Sequence, residues 1–234
     1  FEKALKIAES SAERTRALIG LTAGMRVVDR FGDAVDRINQ ALVLATGDDD
    51  HLLLAKSYFL KGNLEWAKGN YGGCITNHQA SLTHAKAAGS IELEVQALGG
   101  LGDANYLRGR MLTANQYFAQ CVKGADESGL GRIYAANRPM LAWCAIYRGK
   151  LDETWEQALE AREVARAISH KRAEIIALNA LVMIARERGD ISSIFDYTES
   201  GQALTKELGS PRFQAMVLLC RSWAHLIEGS NDKA

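Results

Sequence analysis

Five histidines, four cysteines, a glycine-rich stretch and a run of interleaved carboxylates are the residues of this 234-residue chain whose types suit chemistry. Residues 97–110, ALGGLGDANYLRGR, crowd Gly99, Gly100, Gly102 and Gly109 together, as a phosphate-cradling loop does. Such a loop places its glycines in a strand-to-helix turn, where backbone amides meet the anion. No strand pattern precedes Ala97, and no GxxxxGK followed by Ser or Thr occurs anywhere. The pair Gly100 and Gly102 also lacks the third glycine of a dinucleotide fingerprint. A glycine inside a helix costs about 1 kcal/mol relative to alanine, so it needs a packing reason. Gly62 and Gly102 are therefore expected where two helices cross closely.

The other groups give no reaction centre. His51, His78, His84, His170 and His225 form no HExxH, and none has a local Ser/Asp or Cys setting that suggests activation. His78 falls on an aromatic position of its helix and reads as a packed imidazole. Cys74, Cys121, Cys144 and Cys220 have neither CxxC nor zinc spacing and read as small buried hydrophobes in a reducing compartment. Glu153, Glu156, Glu160, Arg162, Glu163 and Arg166 alternate at spacings of three and four, the pattern of a solvated helix face. No catalytic residue, metal or cofactor is expected. Lys plus Arg equals Asp plus Glu at 28 each, so no global field draws in nucleic acid or an acidic membrane. With no signal peptide, sequon or membrane-length apolar run, the chain is expected to be cytoplasmic. Starting at Phe1, it reads as a fragment.

The elements behind these residues are helical throughout, as in LDETWEQALEAREVARAI from Leu151. Gly69, Gly109, Gly149, Gly189 and Gly229 follow at intervals of 40, and Gly89, Gly129, Ser169 and Gly209 form a second series with the same interval. Tyr71, Met111, Leu151 and Ile191 recur two residues after the turn glycines, and Ala85, Ala125, Ala165 and Thr205 mark a small position farther on. Such self-similarity is the mark of a helical repeat array. The long first helices are expected at 50–68, 90–108, 130–148, 170–188 and 210–228, each followed by a second helix. Ser10 and Glu13 have capping-box spacing, and Ser210 before Pro211 reads as an N-cap. Register extends back to a turn at Asp29. Residues 1–234 thus read as one repeat domain cut in mid-repeat at both ends, with residues 230–234 opening a further second helix.

Residues 101–121, LGDANYLRGRMLTANQYFAQC, resemble the tetratricopeptide repeat (TPR). Leu98, Leu101 and Gly102 match that family's first-helix tryptophan, leucine and glycine positions, with Tyr106 beside its aromatic position at Asn105. Gly109 is the turn, Ala114 and Phe118 match the second helix's alanine and aromatic, and Cys121 its last alanine. Gly62 and Ala142 keep the small position; Val182 does not, and Arg138 replaces a usual aromatic. The resemblance implies an all-α, TPR-like solenoid of antiparallel helix pairs, a right-handed superhelix with a period of 40 residues. It also implies a concave groove lined by first helices. By register the groove residues are Phe59, Asn63 and Trp66, then Gln96, Asp103 and Tyr106, then Trp143 and Tyr147, then Asn179, Met183 and Arg186, with Trp223 at the far end. The same rings could instead fill the layer between repeats. Pro139 falls inside a first helix, which it should bend or delay; either the bend fits the superhelix, or it turns Arg138 and freed carbonyls toward a ligand.

The 40-residue variety, over roughly residues 93–184, resembles the C-terminal repeats of large bacterial signalling proteins that join a class III adenylate/guanylate cyclase to an AAA-type ATPase module. That likeness implies a non-catalytic regulatory arm that binds a protein, a peptide or other domains of its own chain. The alternative is a small-molecule inducer sensor, as in ATP-dependent transcription activators of similar build.

Overall fold

The computed structural model describes residues 1–27 and 30–230. Among them every regular element is a helix: α1 (Glu2–Ile7), α2 (Ser11–Val27), α3 (Phe31–Gly47), α4 (His51–Ala67), α5 (Tyr71–Ala87), α6 (Ile91–Leu107), α7 (Met111–Glu127), α8 (Gly131–Ile146), α9 (Leu151–Ala167), α10 (Lys171–Arg188), α11 (Ile191–Leu208) and α12 (Pro211–Glu228). The even-numbered helices are the first (A) helices of the repeats, and the odd-numbered ones the second (B) helices. The fold is all-α, built of TPR-like helix pairs with a 40-residue period. Long A helices match their expected limits to within two residues.

The helices end by one device. Residues 49, 69, 89, 109, 129, 149, 169, 189, 209 and 229 all have positive φ, so a left-handed residue recurs every 20 positions. Eight are glycine; Asp49 (φ 50°) and Ser169 (φ 55°) are not. After most of them the next amide reaches back to the carbonyl five residues earlier, as Asn70 N does to Glu65 O at 2.9 Å and Asp190 N to Ala185 O at 2.9 Å. This is the Schellman bond, which satisfies an orphan carbonyl of the ending helix. The same residue then caps the following helix. The side chains of Asp50, Asn70, Ser90, His170 and Asp190 each accept the amide three positions on. Ser210 is at the N-cap position before Pro211, but its hydroxyl makes no capping bond. The expected capping box is present: Glu13 N donates to Ser10 Oγ and Ser10 N to Glu13 Oε2, both at 3.2 Å. The turn expected at Asp29 and the helix start at 231–234 lie outside the described residues.

Burial follows the same period. In the B helices the positions of Ala34, Ile38, Ala41 and Ala45 are buried in every repeat, through to Ile194, Thr198, Gly201 and Thr205. Their spacing of four, three and four draws one apolar stripe down each helix. Contacts divide the chain into two compact units, Phe1–Ser128 and Gly129–Ala234. In the first, the A helix α4 meets both α2 and α6, whereas α3, α5 and α7 meet only A helices. The second has the same pattern: α10 packs on α8, α9, α11 and α12. Each unit therefore has one side where A helices converge.

The glycines expected at close crossings are there. A Cβ on Gly62 would come within 2.7 Å of the His78 ring, and one on Gly102 within 2.6 Å of the Phe118 ring. Gly100 is a third such site, with His78 at 2.5 Å. The imidazole of α5 is thus inserted between the backbones of α4 and α6. Helix α8 runs through Pro139 without interruption, and the proline is buried.

Candidate functional site

The expected groove residues lie on the A helices and are taken unit by unit. In the first unit, Phe59, Asn63 and Trp66 on α4 and Gln96, Asp103 and Tyr106 on α6 are all half-buried. Phe59 packs its ring against His78, with centroids 5.5 Å apart. Gln96 Nε2 donates to Glu92 Oε1 at 3.2 Å. Trp66 and Tyr106 occupy the same register position, one repeat apart, so this face carries a ring at the same height on both helices.

In the second unit Trp143, Met183 and Trp223 share one register position and are half-buried. Trp143 Nε1 donates to the carbonyl of Ile176 on α10 at 3.2 Å, and its ring packs on the cluster of Ala142, Ala158, Ala180, Leu181 and Ile184. It therefore locks α8 to α10 while leaving part of the ring in solvent. Trp223 packs on Val182, Ala185 and Cys220, with the Arg186 guanidinium 4.7 Å above its centroid. Tyr147, at the end of α8, is 57% exposed. Arg138 pairs with Glu160 of α9 at 2.5 Å and lies over the Tyr134 ring at 6.0 Å, so its charge is turned onto the neighbouring B helix.

Asn179 is a correction: it is only 3% exposed and lines no surface. Its Nδ2 donates to Ile175 O at 2.9 Å, and its Oδ1 takes the Cys220 thiol at 3.7 Å. The reason is geometric. Gly99 and Pro139, at the same register position, are buried too, so this row turns under the neighbouring helices in the interior repeats.

The titratable groups give the face no reaction chemistry. Burial pushes the Cys74 and Cys121 thiols up to about 12, with the nearby Asp103 carboxylate adding to both, and burial raises Cys220 to about 11. All four cysteines are buried, and none is in a disulfide. The thiols of Cys74, Cys121 and Cys220, so raised, stay protonated at neutral pH and are poor nucleophiles. Burial lowers His78 to about 4, so its ring is neutral. Among the described residues no three His, Cys, Asp or Glu side chains gather as a metal site.

Sequence reading missed the cation–π pairs. Besides Arg186 over Trp223, Arg188 lies 4.8 Å over Trp155 and Arg162 lies 5.8 Å over Tyr197. The usable signal is an arginine in the last turn of α10 placed 37 residues before an aromatic, three short of the period, because adjacent A helices bring those positions together.

A scan against protein-family profiles finds no match, and neither does a search of curated proteins. Solved structures are similar in shape. One is a signal-transduction ATPase with numerous domains and a tetratricopeptide repeat sensor from Pyrococcus horikoshii, with TM-score 0.75 and 13% identity over 97% of this chain. This chain spans 35% of that protein's length. Another is Rap protein complexed with competence and sporulation factor, with TM-score 0.78 and 11% identity, covering 98% of this chain and 68% of that one. The nearly identical TPR-like repeats of a kinesin light chain from Podospora anserina give TM-score 0.65 and 13% identity, over 84% of this chain and 96% of theirs. Identities this low speak for fold alone: the chain has a TPR-like helical-repeat fold.

Proposed function

We propose that this chain is a non-catalytic, partner-binding arm of a cytoplasmic signalling protein and takes a protein or peptide on its A-helix face. One observation carries the reading. The register position of Asn63, Asp103, Trp143, Met183 and Trp223 stays half-buried in all five repeats, and three of its five members are large and apolar. A merely solvated face would carry charge there, whereas rings with one wet edge beside polar groups suit recognition. Stacked repeats offer such a face preshaped, which suits an extended peptide or a helix. The Rap structure, which holds a factor, and the ATPase, whose repeat is termed a sensor, are consistent with this use of the fold. No helix among the described residues is long and apolar enough to cross a membrane.

The parent we favour is an adenylate/guanylate cyclase carrying an AAA-type ATPase, with this arm adjusting its output. A small-molecule sensor would instead need a closed pocket with converging polar groups. A cavity of about 380 Å³ is lined by Phe1, Glu2, Lys3, Gly20, Leu21, Gly24, Met25 and Arg30, and none of the A-face residues reaches it. This favours the polypeptide reading.

Peptides selected from a random display library against the purified chain test it. Replacing Trp66, Tyr106 or Met183 with alanine should weaken the selected peptides at least tenfold, with thermal unfolding nearly unchanged. Peptides insensitive to these changes but lost with Trp155→Ala would move the site to the B helices.

A further inference from the structure

We infer that the N-terminal ends of the A helices in the second unit form a binding edge for an acidic polypeptide segment, held by Arg132 and Arg172 and extended by Arg212. These three residues are the second residues of α8, α10 and α12, exposed and 40 positions apart. The corresponding positions of α4 and α6 hold Leu52 and Glu92, so the row is peculiar to this unit.

Helix physics opposes such a row. The N-terminus carries positive partial charge, and an acidic side chain there is favoured by about 0.3–1 kcal/mol. Helix α6 obeys with Glu92 and Glu94 and α10 with Glu174, which faces Arg166, whereas α8 and α12 have no acidic residue in the first turn. Cations repeated at three N-termini do not serve their own helices. Nor are the first two spent in ion pairs. Lys171 binds Glu207 at 2.7 Å and Arg166 approaches Glu174 at 3.8 Å, but Arg132 and Arg172 have no hydrogen-bond or ion-pair partner among the described residues.

Both arginines act electrostatically on one residue, His170. His170, the N-cap of α10, uses Nδ1 to accept the Ala173 amide at 3.3 Å. Burial lowers its pKa, its own backbone opposes this, and Arg132 from α8 and Arg172 from α10 lower it further. A positive field from two helices meets there, at helix ends that already favour anions. Adjacent packed helices lie about 8–10 Å apart, roughly three residues of extended chain. A strand with carboxylates about three residues apart reaches successive arginines, and a single small anion does not. Eleven residues, or roughly 16 Å of helix, separate Arg132 from Trp143 and Arg172 from Met183 on one helix face. The edge therefore continues the A-helix face, and the choice of a polypeptide occupant rests on the function proposed above.

The test titrates the full chain with a hexaglutamate peptide at low salt. It follows the His170 imidazole by NMR, assigned with a His170→Asn variant. Bound carboxylates should raise the His170 pKa. The double variant Arg132→Gln/Arg172→Gln should bind at least tenfold more weakly while melting as the parent does, and Lys86→Gln should bind as the parent does. An unmoved His170, or a double variant that binds as tightly as the parent, overturns the inference. Inorganic phosphate moving His170 as far at equal concentration of anionic groups would also overturn it, in favour of a generic anion site. A His170 response that Met183→Ala leaves intact supports the acidic edge and counts against the aromatic strip alone.

Discussion

Phe118 presses its ring so closely on the backbone of Gly102 that a Cβ there would come within 2.6 Å, and Phe118 has no exposed surface into which to retreat. Gly102→Ala should therefore destabilise the chain although it improves helix propensity. Gly102→Leu should cost more, about 3 kcal/mol or above, by forcing α6 and α7 apart. Denaturant midpoints of both variants check this; a stabilised Gly102→Ala would contradict the crossing.

His78 makes the same fold sensitive to acid. Its ring is 1% exposed, its Nδ1 has no hydrogen-bond partner, and burial lowers its pKa from 6.5 to about 4. Between these values the unfolded chain binds a proton that the folded chain refuses, so stability falls as pH drops from 6.5 toward 4. The full loss is about 3 kcal/mol, and none arises from this group above pH 6.5. His78→Phe should lack this component. The difference between parent and variant stabilities, measured from pH 7 to 4, reads it directly; parallel curves would refute it.

Ser169 occupies a left-handed turn position that glycine fills in eight of the ten turns. Left-handed backbone costs a residue with a Cβ about 1–2 kcal/mol, offset partly by glycine's greater freedom when unfolded. Ser169→Gly should thus raise stability by about 0.5–1 kcal/mol. Asp49→Gly should gain less, since aspartate tolerates this region better. Thermal melts of the single variants suffice to rank them.

Trp143 holds α8 to α10 through the Ile176 carbonyl and an apolar cluster. Trp143→Ala should cost about 2–3 kcal/mol, and Trp143→Phe, which loses chiefly the hydrogen bond, about 1 kcal/mol. Equal costs for the two would place the stabilisation in the hydrogen bond rather than the ring.

The periodic features were legible because they answer to local rules. Left-handed turns select glycine, so Gly69 to Gly229 show the period without any tertiary knowledge, and Gly62 and Gly102 announce close crossings by being poor helix residues. Asp49 was missed for the same reason: it fulfils the turn without the residue type that marks it. The candidate face was only partly readable. Asn179 and Met183 are one helical turn apart, and no propensity tells which of them the next repeat covers. Trp143 needed the position of a carbonyl 33 residues away, which depends on how two helices lie rather than on either one's sequence.

The turn every 20 residues has a kinetic consequence. Each helix finds its partners among helices one or two places along the chain, so little loop entropy is lost before contacts form. Refolding should begin at any helix pair and spread to its neighbours, in milliseconds or faster. A lesion in one pair would then open that pair while more distant pairs keep their amide protons protected from exchange, so damage stays local instead of unfolding the whole chain.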